Sequence, residues 1–193
     1  MRPEIVDSFV EEYNLHGPKL TLDSVSARIH ISKKTIYRFF RSKDDIYSFI
    51  LADMKEEFAA KKEAVLSNHQ LSCDEKIEGI LTAKTQWEDR VDFKKAHLLA
   101  LDSPEVFEKA IAIVDEACSD IKKELEKGIE EGAFLSSLHV DLTVGCLRSA
   151  ILYILQTPIL DQNNMSYDEA MKSLAQTLLH GIVRSSPSPS SPR

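Results

Sequence analysis

The sequence has few of the features that mark membrane, disulfide-stabilised or zinc-binding proteins. Its three cysteines, Cys73, Cys118 and Cys146, lie far apart, and an odd, scattered set argues against a disulfide framework and against a zinc site. It also lacks a run of about 18 apolar residues, the length that spans a bilayer. We therefore expect no membrane segment, no metal and no other cofactor, with the cysteines serving as packing or surface residues.

The signatures of secretion and of common enzymes are also missing. The N-terminus reaches the acidic pair Glu11-Glu12 after a short apolar stretch, which is not the pattern of a signal peptide and predicts a cytoplasmic protein. There is no glycine-rich phosphate loop, no His-Glu-x-x-His and no Gly-x-Ser-x-Gly, and the six histidines are dispersed. We expect that the protein is not an enzyme.

Strand-like alternation is absent, and glycine is scarce, with six in 193 residues. Apolar residues instead recur at helical spacing, which predicts an all-α fold of about nine helices. Asp161–Asn164 reads as a loop, and residues 185–193 alternate serine with proline and predict a disordered tail. The predicted helices cover residues 3–16, 21–29, 32–40, 42–66, 72–87, 93–101, 103–132, 140–156 and 166–184.

What the sequence does contain is a local basic segment on an acidic chain. The net charge is −7, yet residues 24–43 carry six basic residues and no acid. Residues 51–193 sum to −8, from sixteen basic and twenty-four acidic residues. This distribution favours a nucleic-acid reader with a separate acidic body, although a solvated charged face is the alternative that charge alone leaves open.

Two short helices joined by His30-Ile31 predict a helix-turn-helix. If Ile36 faces inward on the second of them, Phe39 and Phe40 fall on the same side at 100° per residue. In the preceding helix, Leu22, Val25 and Ile29 form the matching apolar stripe, and Ile31 fills the turn.

The outward face then carries groups suited to DNA. Lysine and arginine donate to guanine edges, a threonine methyl contacts a thymine methyl, and tyrosine and helix N-termini contact phosphates. Lys33, Lys34, Thr35 and Arg38 are the candidates for base contacts, while Tyr37, Lys43 and the amides capped by Thr21 and Ser42 are candidates for phosphate. The full predicted DNA-binding set is Thr21, Arg28, Ser32, Lys33, Lys34, Thr35, Tyr37, Arg38 and Lys43.

Residues 21–46 as a whole resemble the signature of the tetracycline-repressor (TetR) family. Thr35-Ile36-Tyr37 and Phe40 occupy its recognition-helix positions, and Ser42-Lys43-Asp44-Asp45-Ile46 matches the start of its fourth helix. Three residues depart from the pattern, namely Ser26, Ile29 and His30, the last standing where the family has a turn glycine. The resemblance implies base contacts from Lys33, Lys34 and Thr35, and phosphate contacts from Tyr37 and Lys43.

The resemblance also implies a two-part organisation. An N-terminal helix-turn-helix domain, residues 1–46, would join a C-terminal effector-binding and dimerisation domain, residues 47–184. The homodimer would form through the last two long helices, for which the excess of apolar residues in Val140–Gln156 is independent support, with burial inside a monomer as the alternative.

The sequence gives less information about the effector pocket than about the helix-turn-helix. Its predicted lining residues are Trp87, His97, Phe107 and Tyr153, with Phe93 and Phe134 as further candidates, although an ordinary core position is the favoured alternative for each of them. Arg148, set in an apolar helix, is expected to pair with an acid across the dimer or to meet a ligand carboxylate, the former being favoured.

These observations predict a DNA-binding regulator, a repressor released from a palindromic operator on double-stranded DNA by an unknown small-molecule effector. The alternative is a helical protein-interaction module that no longer binds DNA specifically, which the acidic body and His30 favour.

Overall fold

The computed structural model describes residues 1–181. Within them the chain forms eleven α-helices and no strand, so the predicted all-α class is confirmed. The predicted end of the last helix at residue 184, its apolar residues Ile182 and Val183, and the predicted tail at 185–193 lie outside the described residues. The helices are α1 Arg2–His16, α2 Leu22–Arg28, α3 Lys33–Tyr37, α4 Lys43–Leu66, α5 Cys73–Leu81, α6 Trp87–Arg90, α7 Ala96–Asp102, α8 Pro104–Glu130, α9 Val140–Gln156, α10 Ile159–Gln162 and α11 Tyr167–His180.

Three of the predicted boundaries are wrong, the first being the end of the helix predicted for residues 32–40, which stops at Tyr37. The helix predicted for residues 72–87 ends at Leu81, and Trp87 opens the separate helix α6. The backbone N–H and the hydroxyl of Thr85 both donate to the Glu88 carboxylate, at 2.7 and 2.6 Å, which caps a new helix rather than continuing the old one. The predicted loop at Asp161–Asn164 is partly helical, because α10 forms where Leu160 is buried.

Helix starts were predicted more accurately than helix ends. Ser72 with Glu75 and Ser166 with Glu169 form the reciprocal hydrogen bonds of capping boxes. Ser42 caps α4 by accepting from the Asp45 amide at 3.1 Å. These caps depend on residues three apart in sequence, so local sequence is sufficient to specify them.

The apolar core consists of two clusters that α4 joins. The first packs α1, α2, α3 and the beginning of α4 around Phe9, Ile36 and Ile46, and it also takes in Trp87 and Val106 from the C-terminal body. The second fills the body between α5, α8, α9 and α11. Ile50 of α4 belongs to the first cluster and Phe58 of α4 packs on the second. Helix α4 therefore connects the two clusters, and a shift of one cluster would displace the other.

Neither a membrane span nor a metal site was found in the described part of the chain. Over residues 1–181, no helix combines the length and the apolar character needed to cross a bilayer. The same residues contain no group of three or more histidine, cysteine or acidic side chains placed to hold a metal ion. Cys73 and Cys118 are buried, Cys146 is exposed, and all three are free thiols.

The turn between α2 and α3 adopts the left-handed conformation at His30, whose φ is 53°. The amide of His30 donates to the Ala27 carbonyl at 3.2 Å, and the amide of Ile31 donates to the Ser26 carbonyl at 3.0 Å. This pair of bonds is a Schellman motif, which usually places glycine where His30 stands. A non-glycine residue in this conformation is strained by steric contact with its own Cβ.

Replacing His30 with glycine should therefore stabilise the protein. We expect His30→Gly to raise the free energy of unfolding by about 0.5–1 kcal/mol, since relief of strain exceeds the entropy that glycine adds to the unfolded chain. His30→Val should lower it by about 1–2 kcal/mol. Urea denaturation measures both.

His69→Gly is the matched control, because His69 is exposed and is not among the residues with positive φ. It should leave stability unchanged or lower it slightly. An equal gain from both glycine variants would show that His30 is not strained.

Candidate nucleic-acid interface and the cavity behind it

Helix α3 is held with one face against the core and the other toward solvent. Ser32 caps it, accepting from the Thr35 amide at 3.1 Å. Ile36 is 0% exposed and Phe40 is 2% exposed, so both anchor the segment as predicted. Phe39, predicted to point inward, is 39% exposed, because the α-helix ends at Tyr37 and the chain turns away.

Three side chains of this segment remain exposed and available. Tyr37 is 50% exposed, and Lys34 and Arg38 are also exposed. Within residues 1–181, neither Lys34 nor Arg38 forms an ion pair, in contrast to most cations around them. The structure therefore brings together one phenol and two free cations on an outward surface, which is what contacts to phosphates and base edges require.

Lys33 and Thr35 lie at the edge of this surface and already have partners. The Lys33 ammonium is 2.9 Å from an Asp23 carboxylate oxygen on α2. The hydroxyls of Ser32 and Thr35 lie 2.9 Å apart. To contact a base, Lys33 would have to leave Asp23. Breaking an exposed ion pair of this kind costs little free energy.

Arg28 faces the protein's own first helix. Its guanidinium donates to Glu12 at 2.6 and 2.8 Å and to Glu11 at 3.0 Å. The Glu12 side chain is almost fully buried, so the pair fixes α2 against α1. These contacts give Arg28 a structural role within the domain, and its predicted DNA contact stays a prediction.

Lys43 is likewise committed to internal contacts. Its ammonium lies 2.8 Å from the Pro18 carbonyl oxygen and 2.6 Å from the Asp102 carboxylate at the end of α7. Lys43 therefore connects the beginning of α4 to the C-terminal body, a contact that the sequence did not indicate.

Thr21, another residue of the predicted DNA-binding set, caps α2 by accepting from the Ser24 amide at 3.1 Å.

The predicted DNA-binding set omitted two arginines that adjoin the surface. Arg2, Arg38 and Arg41 line one groove beside Tyr37. The Arg2 guanidinium lies over the rings of Phe40 and Phe49, 5.0 and 4.4 Å from their centroids. Arg41 belongs to the basic segment at 24–43 and was detectable from it, whereas the position of Arg2 depends on the tertiary fold.

Polar contacts attach the helix-turn-helix to the segment between α6 and α8. The Asn14 amide donates to the Arg90 carbonyl at 2.6 Å, and its oxygen accepts from the Asp92 amide at 2.8 Å. The Ser103 hydroxyl donates to Asp44 at 2.6 Å, next to the Lys43–Asp102 pair. We name this set of contacts the seam.

An apolar cavity of about 160 Å³ lies directly behind the seam. Its walls come from α1, α4, α7, α8, α9 and α11, so both core clusters contribute to it. Phe93 and Phe107, predicted as pocket residues, line it.

The other predicted pocket residues lie elsewhere. Trp87 is 2% exposed in the first core cluster and donates its indole N–H to Asp53 at 2.9 Å. His97 contacts the Lys94 carbonyl, and Tyr153 is exposed on α9. Phe134 packs against Gly128 instead. Helices α6 and α9 present Trp87 and Tyr153 away from the cavity, an orientation that helix periodicity alone did not determine.

Helix α9 has apolar residues on two faces. Leu147, Ile151 and Leu155 are buried in the body, while Leu142 and Tyr153 are exposed. Between the latter two, the exposed positions are the small residues Gly145, Cys146 and Ser149.

Arg148, on the same helix, pairs with Asp115 of its own chain at 2.5 Å. Helix α8 of the same chain thus supplies an acid for Arg148, and the expected pairing across a dimer or with a ligand stays a prediction.

Residues 5–48 match the family model described as bacterial regulatory proteins, tetR family. An uncharacterized HTH-type transcriptional regulator of Mycobacterium tuberculosis is 36% identical over 50 residues, which are 26% of this chain and 21% of the relative. The chain thus spans about a fifth of the length of the curated relatives that it matches.

Solved structures extend the likeness from this segment to the whole fold. The TetR family transcriptional regulator PfmR from Thermus thermophilus has a TM-score of 0.69 at 20% identity, covering 93% of this chain and 99% of that one. FadR from Bacillus subtilis, solved in complex with stearoyl-CoA, has a TM-score of 0.59 at 16% identity, covering 95% and 100%. At these identities the likeness shows the fold.

The class of protein is defined by a helix-turn-helix carried on an all-helical body. Residues 5–48 match the tetR family model, and the fold of the described residues is similar to that of solved TetR family regulators.

The Glu12–Arg28 contact makes stability depend on pH. The neighbouring Ser24 hydroxyl and the Arg28 guanidinium lower the pKa of Glu12, against the opposing effect of burial. A carboxylate with a lowered pKa stabilises the fold above its unfolded-state pKa of about 4.3, and this contribution disappears as pH falls through the folded value. We expect Glu12→Gln to be less stable than the parent at pH 7, with the difference vanishing in acid.

Urea denaturation from pH 7 to pH 3 tests this expectation. Glu4→Gln is the control, because Glu4 is an exposed acid on the same helix. A difference between parent and Glu12→Gln that stays constant over this range would contradict it.

Proposed function

We propose that the protein is a transcriptional repressor that binds a palindromic operator on double-stranded DNA and is released from it by a small-molecule effector. The observation that carries the proposal is the outward surface of α3, where Lys34, Tyr37 and Arg38 are exposed above the buried anchors Ile36 and Phe40. A short helix anchored in this way places its polar side chains in a major groove.

A dimer follows from the same proposal. Reading a palindrome requires two recognition helices about 34–36 Å apart. The exposed face of α9 supports pairing at that helix, since small residues between Leu142 and Tyr153 allow two helices to approach closely. Helix α11 is the second helix of the proposed interface.

The seam and the cavity support release by an effector. A ligand between α1, α4 and α8 would change how the helix-turn-helix sits on the body, and thereby the spacing of the two recognition helices. Lys43 is the proposed link, because a phosphate and Asp102 compete for one ammonium group. In the DNA-bound form Lys43 turns to phosphate, and effector binding favours its return to Asp102.

The paired state of Arg28, Lys33 and Lys43 favours a second candidate, a helical protein-interaction module without specific DNA binding. Selection of binding sites from random duplexes separates the two. Enrichment of a palindrome supports the regulator, and the absence of any enriched sequence at low salt supports the module.

Lys34→Ala and Arg38→Ala should each weaken binding to the selected duplex by about 1–3 kcal/mol and relax preference at one base pair if they contact a base. Binding of the parent should fall steeply with salt, because phosphate contacts release counterions. Fluorescence anisotropy over a salt series measures both effects.

Lys84→Ala is the control for these variants, since Lys84 is an exposed lysine between α5 and α6, away from α3 and from the proposed dimer helices. Unchanged affinity in both Lys34→Ala and Arg38→Ala would refute the assignment of this surface.

Removing the internal partner of Lys43 should strengthen binding to every duplex. We expect Asp102→Asn to raise affinity about equally for all sequences and to steepen the log–log salt dependence by about one unit, as one more phosphate contact forms. Asp89→Asn, which removes the partner of Lys84, serves as the control. An unchanged salt slope in Asp102→Asn would show that Lys43 has only an internal role.

A further inference from the structure

The cavity behind the seam is apolar almost throughout. Its lining consists of aliphatic, methionine, phenylalanine and tyrosine side chains, with no charged residue among them. Its volume of about 160 Å³ is close to the roughly 150 Å³ of an apolar protein cavity that holds benzene. A second cavity of about 90 Å³ shares five of its lining residues, namely Met54, Phe93, Ile113, Val114 and Tyr167.

The surroundings of the cavity disfavour an anionic ligand. The cations closest to the seam are already paired, Lys43 with Asp102 and Lys95 with Asp92. A carboxylate or phosphate inside the cavity would lose its hydration and gain no counterion, which is the costliest way to bury a charge. The chemistry therefore selects a neutral ligand.

Among the lining residues of the cavity, Tyr47 has a polar group that is fully buried without a partner. Tyr47 is only 7% exposed, and its hydroxyl is buried with no hydrogen-bond partner among the described protein groups. Burial, and then the neighbouring Tyr13, Asp102 and Asp44, raise the pKa of Tyr47, so that its hydroxyl stays protonated and is able to donate. Burying a hydroxyl without a partner is unfavourable, and a bound hydrogen-bonding group would remove that penalty.

We propose that this cavity is the binding site for a neutral, largely hydrocarbon ligand about the size of one substituted ring, whose single hydrogen-bonding group meets the Tyr47 hydroxyl. That the ligand is an effector rests on the proposed regulatory function; the binding site itself does not. Since Phe9, Val10 and Tyr13 of α1 form part of the wall, the ligand lies against the helix on which the helix-turn-helix packs. Occupancy of the site therefore acts on the recognition helix through α1 and α4, whose residues pack around Ile36 and Phe40.

Three probes of one ring size test the chemistry of the site. Phenol offers a hydrogen-bonding group, benzene lacks one, and benzoate is charged at pH 7. Calorimetric titration of the full chain should show binding of phenol and benzene and no binding of benzoate, and the temperature of thermal unfolding should rise only with the first two. Binding of benzoate as tightly as phenol would overturn the proposal.

Two variants test the location. Ala110→Leu fills the cavity from α8 and should abolish the binding of both neutral probes. Ala112→Leu is the matched control, because Ala112 is exposed two residues further along the same helix. Circular dichroism checks that both variants are folded, and phenol binding that survives in a folded Ala110→Leu would overturn the proposal.

Tyr47→Phe tests the anchor. The variant should still bind benzene but should bind phenol about tenfold or more weakly than the parent, since the phenol hydroxyl would be buried unpaired. Its melting temperature without probe should equal or exceed that of the parent, because the unpartnered hydroxyl is gone. Unchanged phenol affinity in Tyr47→Phe would refute the role of this hydroxyl.

The site and the regulatory function fail in different measurements. A chain that selects a palindromic duplex and binds neither neutral probe overturns the site and leaves the regulator in place. A chain that binds the probes in the expected pattern and selects no duplex confirms the site and overturns its role as an effector pocket.

Discussion

The burial of Ile36 and Phe40 is the contact on which the functional interpretation depends. These two side chains fix a five-residue helix that could not persist in isolation, since short helices lack enough hydrogen bonds to offset their nucleation cost. Their partners come from α1 and α4 in the same core cluster. With the inner face committed, Lys34, Tyr37 and Arg38 have only the solvent side left to occupy.

The number of basic side chains in a segment of this protein differs from the number that remain unpaired and able to contact a ligand. The segment at 24–43 contains six basic residues, yet Arg28, Lys33 and Lys43 are paired with carboxylates from α1, α2 and α7. The pairs differ in what they do: Arg28 stabilises the domain, Lys33 lies beside the outward surface, and Lys43 reaches the body. Three charges that look equivalent in sequence therefore have three different roles, set by which helix supplies the acid.

The two domains expected from the sequence, residues 1–46 and 47–184, pack against each other in a shared core cluster and around a shared cavity. Trp87 and Val106 complete the first core cluster, and the cavity has walls from α1 as well as from α8. The seam adds directional contacts, including Asn14 with Asp92 and Asp44 with Ser103. A ligand in such a place needs no long pathway to affect the recognition helix, because it contacts the helices that position it.

The sequence by itself determined the helical class, the helix starts marked by Ser42, Ser72 and Ser166, and the helix-turn-helix with its strained His30. These features depend on residues within a few positions of one another, through capping bonds and the 3.6-residue period. Only the tertiary structure decided which cations are free, that Phe39 faces outward, that Trp87 is a core residue, and that Arg148 pairs with Asp115. Each of these depends on a partner from another helix or on where a short helix ends, and spacing along one helix carries no information about either.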